Sequence, residues 1–163
     1  MVNIKPISHD HWPGILDIQD RVYHDVAPES QAVLASKCQA SPDTCLVAMN
    51  SQDTVLGYVL AHPWPLEQLP KLHHPVQAVT SDNLYLHDLA VCPSAHGQGV
   101  AARLLSALQR RSTAKGFASI SLVAVQNADG FWLKQGFTRH ADVALCQSYG
   151  DTALPMIKTL SAD

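Results

Sequence analysis

The chain has 163 residues, of which 47% are hydrophobic and 15% are charged, and its formal net charge is −3. This length predicts one domain over residues 1–163 with a substantial core, and the weakly negative charge excludes the broad basic surface of a nucleic-acid-binding protein. No apolar stretch approaches the roughly 20 residues of a membrane span, and the first residues lack the apolar core of a secretory signal. We therefore expect a cytoplasmic protein without nucleic-acid or membrane partners.

The first 61 residues predict a strand, two helices and a hairpin. Residues 2–7 alternate in polarity, as in an edge strand. A helix with Pro13 in its first turn should follow, and a second helix should start just after Pro28. Residues 44–49 and 55–61 are expected to be strands, because turn-forming residues lie between them.

Residues 62–83 predict a long irregular loop, because prolines interrupt every helical or strand pattern there. The loop also carries Glu67, Asp82 and the adjacent pair His73 and His74. A loop of this length in a compact domain is typically functional. The alternative is a surface excursion without a role.

Nine histidines and four cysteines are scattered along the chain without the spacing of a metal-binding motif. We therefore expect free thiols and no metal cofactor. Metal binding by His73 and His74 is the alternative.

A strand, a glycine-rich turn and a helix follow the loop. Residues 84–91 are almost continuously apolar, and Pro93 ends the strand. Gly97 and Gly99 precede a helix that begins at Val100. The first N–H groups of a helix have no internal partner, and the helix dipole favours negative charge there. This segment therefore predicts an anion-binding cradle.

The last third of the chain predicts three more strands and a short helix. Residues 119–125 form an apolar strand, and residues 126–137 contain a short helix that ends at Gly136. Residues 138–143 and 156–160 are the last two expected strands.

Two of these segments resemble the signatures of one family. The sequence His96-Gly97-Gln98-Gly99-Val100-Ala101 resembles the Arg/Gln-x-x-Gly-x-Gly/Ala motif with which GCN5-related N-acetyltransferases hold the pyrophosphate of acetyl-CoA. It departs from the motif at His96, where Arg or Gln is usual. Residues 126–137 resemble the second signature of the family, an Asn, a short helix and an aromatic-x-x-x-Gly-Phe ending. The resemblance covers residues 44–160 in motif order.

The resemblance implies a mixed α/β fold. Its sheet should be twisted, mostly antiparallel, splayed at strands 4 and 5, and flanked by about four helices. It implies acetyl transfer from acetyl-CoA to a primary amine of a small molecule or peptide, by direct attack in a ternary complex. The long loop would lie on the acceptor side, and its two acids hint at a cationic acceptor. A homodimer is compatible with the resemblance, which leaves the oligomeric state open.

The resemblance also assigns residues to acetyl-CoA. The strand backbone would pair with the pantetheine arm, the cradle would donate N–H groups to the pyrophosphate, and residues of the second signature would touch the pantetheine. The residues are Leu89, Ala90, Val91, His96, Gly97, Gln98, Gly99, Val100, Ala101, Ala102, Asn127 and Trp132.

Catalysis requires a base, because an amine with a pKa near 10 is almost fully protonated at pH 7. Asp88 is the first candidate, and His87 or a chain of waters is the alternative. Strict strand alternation would place these two side chains on opposite faces, with Leu84, Leu86 and Ala90 on the face of Asp88 and Tyr85, Leu89 and Val91 on that of His87.

The proton donor for the leaving thiolate is the second catalytic group to assign. The family's usual tyrosine is replaced by Trp132, whose indole cannot release its proton. Tyr149 is the candidate replacement. An acyl-CoA-binding sensor with weak catalysis is therefore the alternative function.

Overall fold

One seven-stranded sheet organises the chain. The computed structural model describes residues 2–23, 28–66, 68–125, 128–140 and 153–160. The strand order is β1-β2-β3-β4-β5-β7-β6, and all neighbouring strands pair antiparallel except β4 and β5. The strands are β1 (Asn3–Pro6), β2 (Cys45–Met49), β3 (Val55–Pro63), β4 (Asn83–Val91), β5 (Ser119–Ala124), β6 (Thr138–Arg139) and β7 (Leu154–Thr159).

Helices cover both faces of the sheet. They are α1 (Trp12–Val22), α2 (Gln31–Ala40), α3 (Val100–Ala114) and α4 (Asp129–Lys134). The α3 face carries the larger apolar cluster, in which Leu104 and Leu108 pack against strand residues. The opposite face carries a second cluster, in which Ile15 and Ile18 of α1 and Leu34 of α2 pack against the sheet. The expected mixed α/β fold is confirmed, and no described helix has the length and apolar character needed to cross a membrane.

The ends of the elements follow local sequence signals. Ser30 caps α2, because its side chain accepts a hydrogen bond from the Val33 N–H at 3.2 Å. The predicted strand over residues 138–143 is observed at 138–139, and residues 141–143 lie outside the described residues. The last strand begins two residues earlier than expected, at Leu154.

The sheet opens between β4 and β5, as expected. The two strands pair only over Asn83–Leu86 and Ser119–Leu122. Beyond Leu86, β4 continues along β3 alone, whereas β5 continues along β7. The second half of β4 therefore has a free edge on the side where β5 diverges.

A β-bulge in β4 overturns the strict alternation expected from the sequence. Leu60 pairs with Asp88, but the next residue of β3, Ala61, pairs with Leu86, so His87 is the extra residue. Before the bulge, Leu86 belongs to the α3-side cluster; after it, Ala90 belongs to the α1/α2-side cluster. His87 and Asp88 therefore both face α1 and α2, and their expected placement on opposite faces was wrong.

The long loop is fixed against α2. Between β3 and β4 its described residues form turns and bends, as predicted, and Glu67 lies outside the described residues. The Val76 N–H donates to the Ser36 Oγ at 2.9 Å, and the His73 N–H donates to the Glu29 Oε2 at 2.8 Å. The middle of the loop is thus held against α2 and the residue before its N-cap.

Candidate active site

A cavity of about 550 Å³ occupies the opening between β4 and β5. One end is formed by residues 95–102 except Gln98, at the start of α3. The middle is formed by residues 86–91 of β4, and the far end reaches Tyr23 and Glu29 on the α1/α2 side. The cavity therefore connects the predicted anion cradle with the predicted catalytic strand.

The cradle has the backbone geometry that an anion site requires. Gly97 and Gly99 have φ angles of 85° and 74°, in the left-handed region that favours glycine. A Cβ atom at either position would meet nothing within 4 Å, so the space in front of the turn is open. The Arg103 N–H makes the first backbone hydrogen bond of α3, to the Gly99 carbonyl at 3.1 Å. The preceding N–H groups of the first turn are thus available to an anion.

His96, the residue that departs from the family motif, lies back against the end of β4. Its Nε2 is 3.2 Å from the Val91 carbonyl oxygen, so this nitrogen donates in that contact. The imidazole therefore bridges the cradle and the free half of β4.

Trp132 is part of the apolar wall. It is buried, with its ring 5.0 Å from that of Phe131 and 5.3 Å from that of Phe137, centroid to centroid. It also lines the cavity. Asn127, the other residue predicted from the second signature, and Tyr149, the predicted proton donor, lie outside the described residues.

Asp88 is held by two tyrosines. The Tyr58 hydroxyl donates to its Oδ2 at 2.7 Å, and the Tyr23 hydroxyl makes a short hydrogen bond with its Oδ1. Burial raises the pKa of Asp88, and the nearby charge of His87 and the two phenols oppose that rise. Burial, together with Asp88, raises the pKa of both tyrosines well above its usual value, so they stay protonated donors. Both oxygens of the carboxyl are thus occupied.

His87 is paired with Glu29. The Nε2 of His87 lies 2.5 Å from the Glu29 Oε1, and the two side chains are 2% and 6% exposed. Burial opposes ionisation of Glu29, but the hydrogen bond and charge of His87, the His73 N–H and the charge of Lys37 outweigh it and lower its pKa to about 2. Glu29 is therefore a carboxylate at neutral pH. The Nδ1 of His87 is buried and has no hydrogen-bond partner in the described part of the chain.

Two further titratable groups lie buried behind this pair. Lys37 of α2 is fully buried, and burial lowers its pKa although the charge of Glu29 opposes that effect. His62 of β3 is also fully buried, and burial together with the charges of His87 and Lys37 lowers its pKa to about 3. The region around Glu29 is thus a buried electrostatic cluster rather than a solvated surface.

Sequence reasoning selected Asp88 and His87 but missed their partners. Tyr23 ends α1, and Glu29 precedes the N-cap of α2, so both have ordinary helix-end positions in the sequence. Tyr58 occupies one position of a buried strand. No local signal distinguishes these residues, because their roles arise from contacts between distant elements. Within the described ranges, no three His, Cys, Asp or Glu side chains are grouped so as to hold a metal ion.

Comparisons with known proteins bear on the family and the fold. The model of the acetyltransferase (GNAT) family matches residues 12–137. No curated protein matches the sequence. The fold is similar to Ard1 from Thermoplasma volcanium, with a TM-score of 0.77, 16% identity and 98% of each chain covered.

Two further solved structures are similar. One is the ribosomal-protein-S18-alanine N-acetyltransferase from Escherichia coli, with a TM-score of 0.73, 18% identity, and 99% of this chain and 95% of that chain covered. The other is the GphF GNAT-like decarboxylase in complex with isobutyryl-CoA, with a TM-score of 0.77, 16% identity, and 98% of this chain and 100% of that chain covered. At these identities the likeness concerns the fold.

Proposed function

This chain belongs to the acetyltransferase (GNAT) family, and we propose that it transfers the acetyl group of acetyl-CoA to a primary amine of a small molecule or peptide. One observation carries the proposal. A single cavity connects an anion-binding helix start, a strand with a free edge and a buried set of proton-accepting side chains.

The residues around the cavity fit acetyl-CoA. The open space before Gly97 and Gly99 and the N–H groups of residues 100–102 suit its diphosphate. The free edge of β4 at Leu89 and Val91 suits the pantetheine arm, which would lie beside it as an added strand. Ala90, His96, Gln98 and Trp132 complete the proposed contact set, together with Asn127. When bound, acetyl-CoA supplies an activated thioester.

The chemistry requires a neutral amine next to the thioester. An amine that arrives protonated must first lose a proton to a base in the cavity wall, and the neutral nitrogen then attacks the thioester carbonyl directly. Asp88 and His87 are the two candidate bases that the sequence indicates, and both line the cavity. Tyr149 remains the proposed proton donor to the departing thiolate.

The end of the cavity at Tyr23 and Glu29, where the acceptor amine would bind, favours a cation. Glu29 is ionised there, and the described residues that line the cavity include no lysine or arginine. The ammonium form of a primary amine would therefore be attracted before it is deprotonated. By its name, the similar Escherichia coli enzyme acetylates an alanine of a ribosomal protein. A peptide N-terminus and a small free amine both supply the primary amine that this reaction requires. We also propose that the protein acts in the cytoplasm.

A second candidate function rests on Trp132. This buried indole stands where a proton-donating tyrosine is usual in the family and packs between two phenylalanines. A domain that binds acetyl-CoA as a sensor and turns it over slowly would tolerate this replacement.

Thiol release separates the two candidates. The purified chain is incubated with acetyl-CoA and a panel of polyamines, arylalkylamines and peptides with free N-termini, and free thiol is measured against a control without amine. The proposal expects amine-dependent release, with the acetylated amine detected by mass spectrometry. Acetyl-CoA binding without release from any amine would favour the sensor.

A further inference from the structure

We propose that His87 is the general base of this acetyl transfer and that Glu29 is the residue that positions it. The inference rests on the proposed function and selects between the two bases that the sequence left open. It also adds Glu29, which no sequence signal indicates.

His87 lies at the β-bulge, where the chemistry would occur. It is the extra residue of β4 opposite Leu60 and Ala61, immediately after β4 leaves β5. Its side chain contacts Glu29 on the α1/α2 side and contributes to the cavity wall. Leu86 faces the α3 side, so alternation directs the next side chain, His87, to the α1/α2 side, and the bulge brings Asp88 to that side as well.

The contact with Glu29 defines the tautomer of His87. A carboxylate only accepts hydrogen bonds, so the 2.5 Å contact requires the hydrogen on the imidazole Nε2. The neutral ring then carries its lone pair on Nδ1. This nitrogen is the one that has no hydrogen-bond partner in the described part of the chain. A buried lone pair without a partner, on a residue of the cavity wall, is a suitable proton acceptor for an ammonium group that enters the cavity beside it.

Glu29 is itself fixed by three hydrogen bonds. Its Oε2 accepts from the His73 N–H at 2.8 Å. Its own N–H donates to the Gln19 Oε1 at 3.0 Å, and its carbonyl accepts from the Gln19 Nε2 at 3.1 Å. The carboxylate therefore holds the imidazole from a rigid support that ties together α1, α2 and the long loop.

Asp88 is less suited to accept a proton from the substrate. Both of its oxygens are engaged by tyrosine hydroxyls that stay protonated. Its carboxyl instead ties Tyr23, the residue after α1, and Tyr58 of β3 to β4. We therefore assign Asp88 a structural role beside the base.

The proton balance is complete with these groups. The ammonium form of the acceptor gives one proton to the Nδ1 of His87, and Glu29 stabilises the resulting imidazolium through Nε2. The neutral amine forms the new C–N bond, the C–S bond breaks, and the second N–H proton leaves with the CoA thiolate as the thiol. The imidazolium then returns its proton to solvent.

Other charges also act on His87. Asp88 is its neighbour on β4, His62 lies near it on β3, and Glu29 contacts it from the segment before α2. Lys37 of α2 lies near Glu29 and Asp88. Glu29 is the group in direct contact with the imidazole, so its removal is the variant to test.

The test compares Glu29→Gln, Glu29→Asp and His87→Ala with the wild type. Asp17→Asn, which removes a carboxylate from an exposed ion pair on α1, is the matched control. The kcat/KM for the best amine is measured against pH, and the acetyl-CoA-induced thermal shift is measured for each variant. We expect kcat/KM to fall about 100-fold or more in His87→Ala and about 10-fold or more in Glu29→Gln. The thermal shift should persist.

Two readouts distinguish positioning from mere structural support. Loss of the carboxylate removes a stabiliser of the imidazolium, so the acidic limb of the pH profile of Glu29→Gln should move to lower pH. Added imidazole should restore part of the activity of His87→Ala by entering the space that the side chain leaves.

The outcomes separate this inference from the proposed function. A wild type that releases no thiol with any amine contradicts the proposed function itself. An active wild type with unchanged kcat/KM in both Glu29 variants, or with no imidazole rescue of His87→Ala, overturns the inference alone. If Glu29→Gln fails to fold, the kcat/KM of Glu29→Asp is the deciding measurement. This variant keeps the negative charge, but its side chain is one methylene shorter, so the carboxylate no longer reaches the Nε2 of His87.

Discussion

The buried imidazole of His62 predicts a loss of stability in acid. The side chain is fully buried in β3, and its Nδ1 lies 3.2 Å from the Pro63 carbonyl oxygen. Burial, with the nearby charges of His87 and Lys37, lowers its pKa from 6.5 to about 3. Below pH 6.5 the unfolded chain therefore binds a proton that the folded chain does not bind. The free energy of unfolding must then fall as the pH drops from about 6.5 towards 3.

The magnitude follows from the two pKa values. Between pH 7 and pH 5, a histidine whose pKa falls from 6.5 to about 3 on folding contributes a loss of about 2 kcal/mol. In a chain of this size this corresponds to a drop in Tm of roughly 4–8 °C. Other groups titrate over the same range, so the quantity that isolates His62 is the difference between wild type and a variant that cannot titrate there.

His62→Asn is the suitable variant. Its amide nitrogen can still donate to the Pro63 carbonyl, and the cavity that it leaves costs the same free energy at each pH. Urea unfolding at pH 7 and pH 5 should show that His62→Asn loses about 2 kcal/mol less than the wild type over this interval. His9→Asn, at an exposed position, is the control and should keep the wild-type dependence. Equal losses in His62→Asn and the wild type would refute the reasoning.

Three further predictions concern the cradle, the tyrosines and the apolar wall. Gly99→Ala and Gly116→Ala replace glycines with φ angles of 74° and 86° and open space around them, so each should lose about 1–2 kcal/mol in urea unfolding. Only Gly99→Ala should also reduce the rise in Tm that acetyl-CoA causes. An equal rise in the two variants would exclude the cradle as the binding site. Tyr58→Phe removes a buried donor to Asp88 and should lower the free energy of unfolding by about 1–3 kcal/mol; a neutral effect would mean that Asp88 does not need this donor. Trp132→Ala should cost about 3–5 kcal/mol, and a thermal melt within 2 °C of the wild type would contradict its place in the core.

The order of elements and the cradle could be predicted because their signals are local. Apolar periodicity, prolines and turn residues lie within the segments that they shape. The left-handed φ angles of Gly97 and Gly99 and the helix start at Val100 agree with the expectation from those residues alone. The divergence of β4 from β5 came from the family resemblance rather than from any residue pattern.

The faces of β4 could not be predicted, because a bulge depends on the pairing with another strand. Neither glycine nor proline marks position 87, and the displaced register appears only in the pairs of Leu60 and Ala61. Because one residue is inserted, the residues before it and the residues after it no longer follow the same alternation between the two faces of the sheet. This is why Leu86 and Asp88, two residues apart, point to opposite sides of the sheet.

The partners of the candidate base were missed for a related reason. Glu29 is 58 residues from His87 in the chain, and its carboxylate also accepts a hydrogen bond from the His73 N–H of the long loop. An acid beside a helix N-cap has an ordinary explanation in the helix dipole. Only the folded chain shows that this carboxylate is buried against an imidazole.

The central claim is that the cavity between β4 and β5 binds acetyl-CoA, and thermal unfolding with and without this compound tests it most directly. At about 100 times its Kd, the ligand should raise the free energy of unfolding by about 2.7 kcal/mol. For a chain of this size the Tm should therefore rise by roughly 5–10 °C. The account predicts this rise in the wild type and a smaller one in Gly99→Ala. An unchanged Tm at saturating acetyl-CoA would contradict the assignment of the cavity and the function proposed from it.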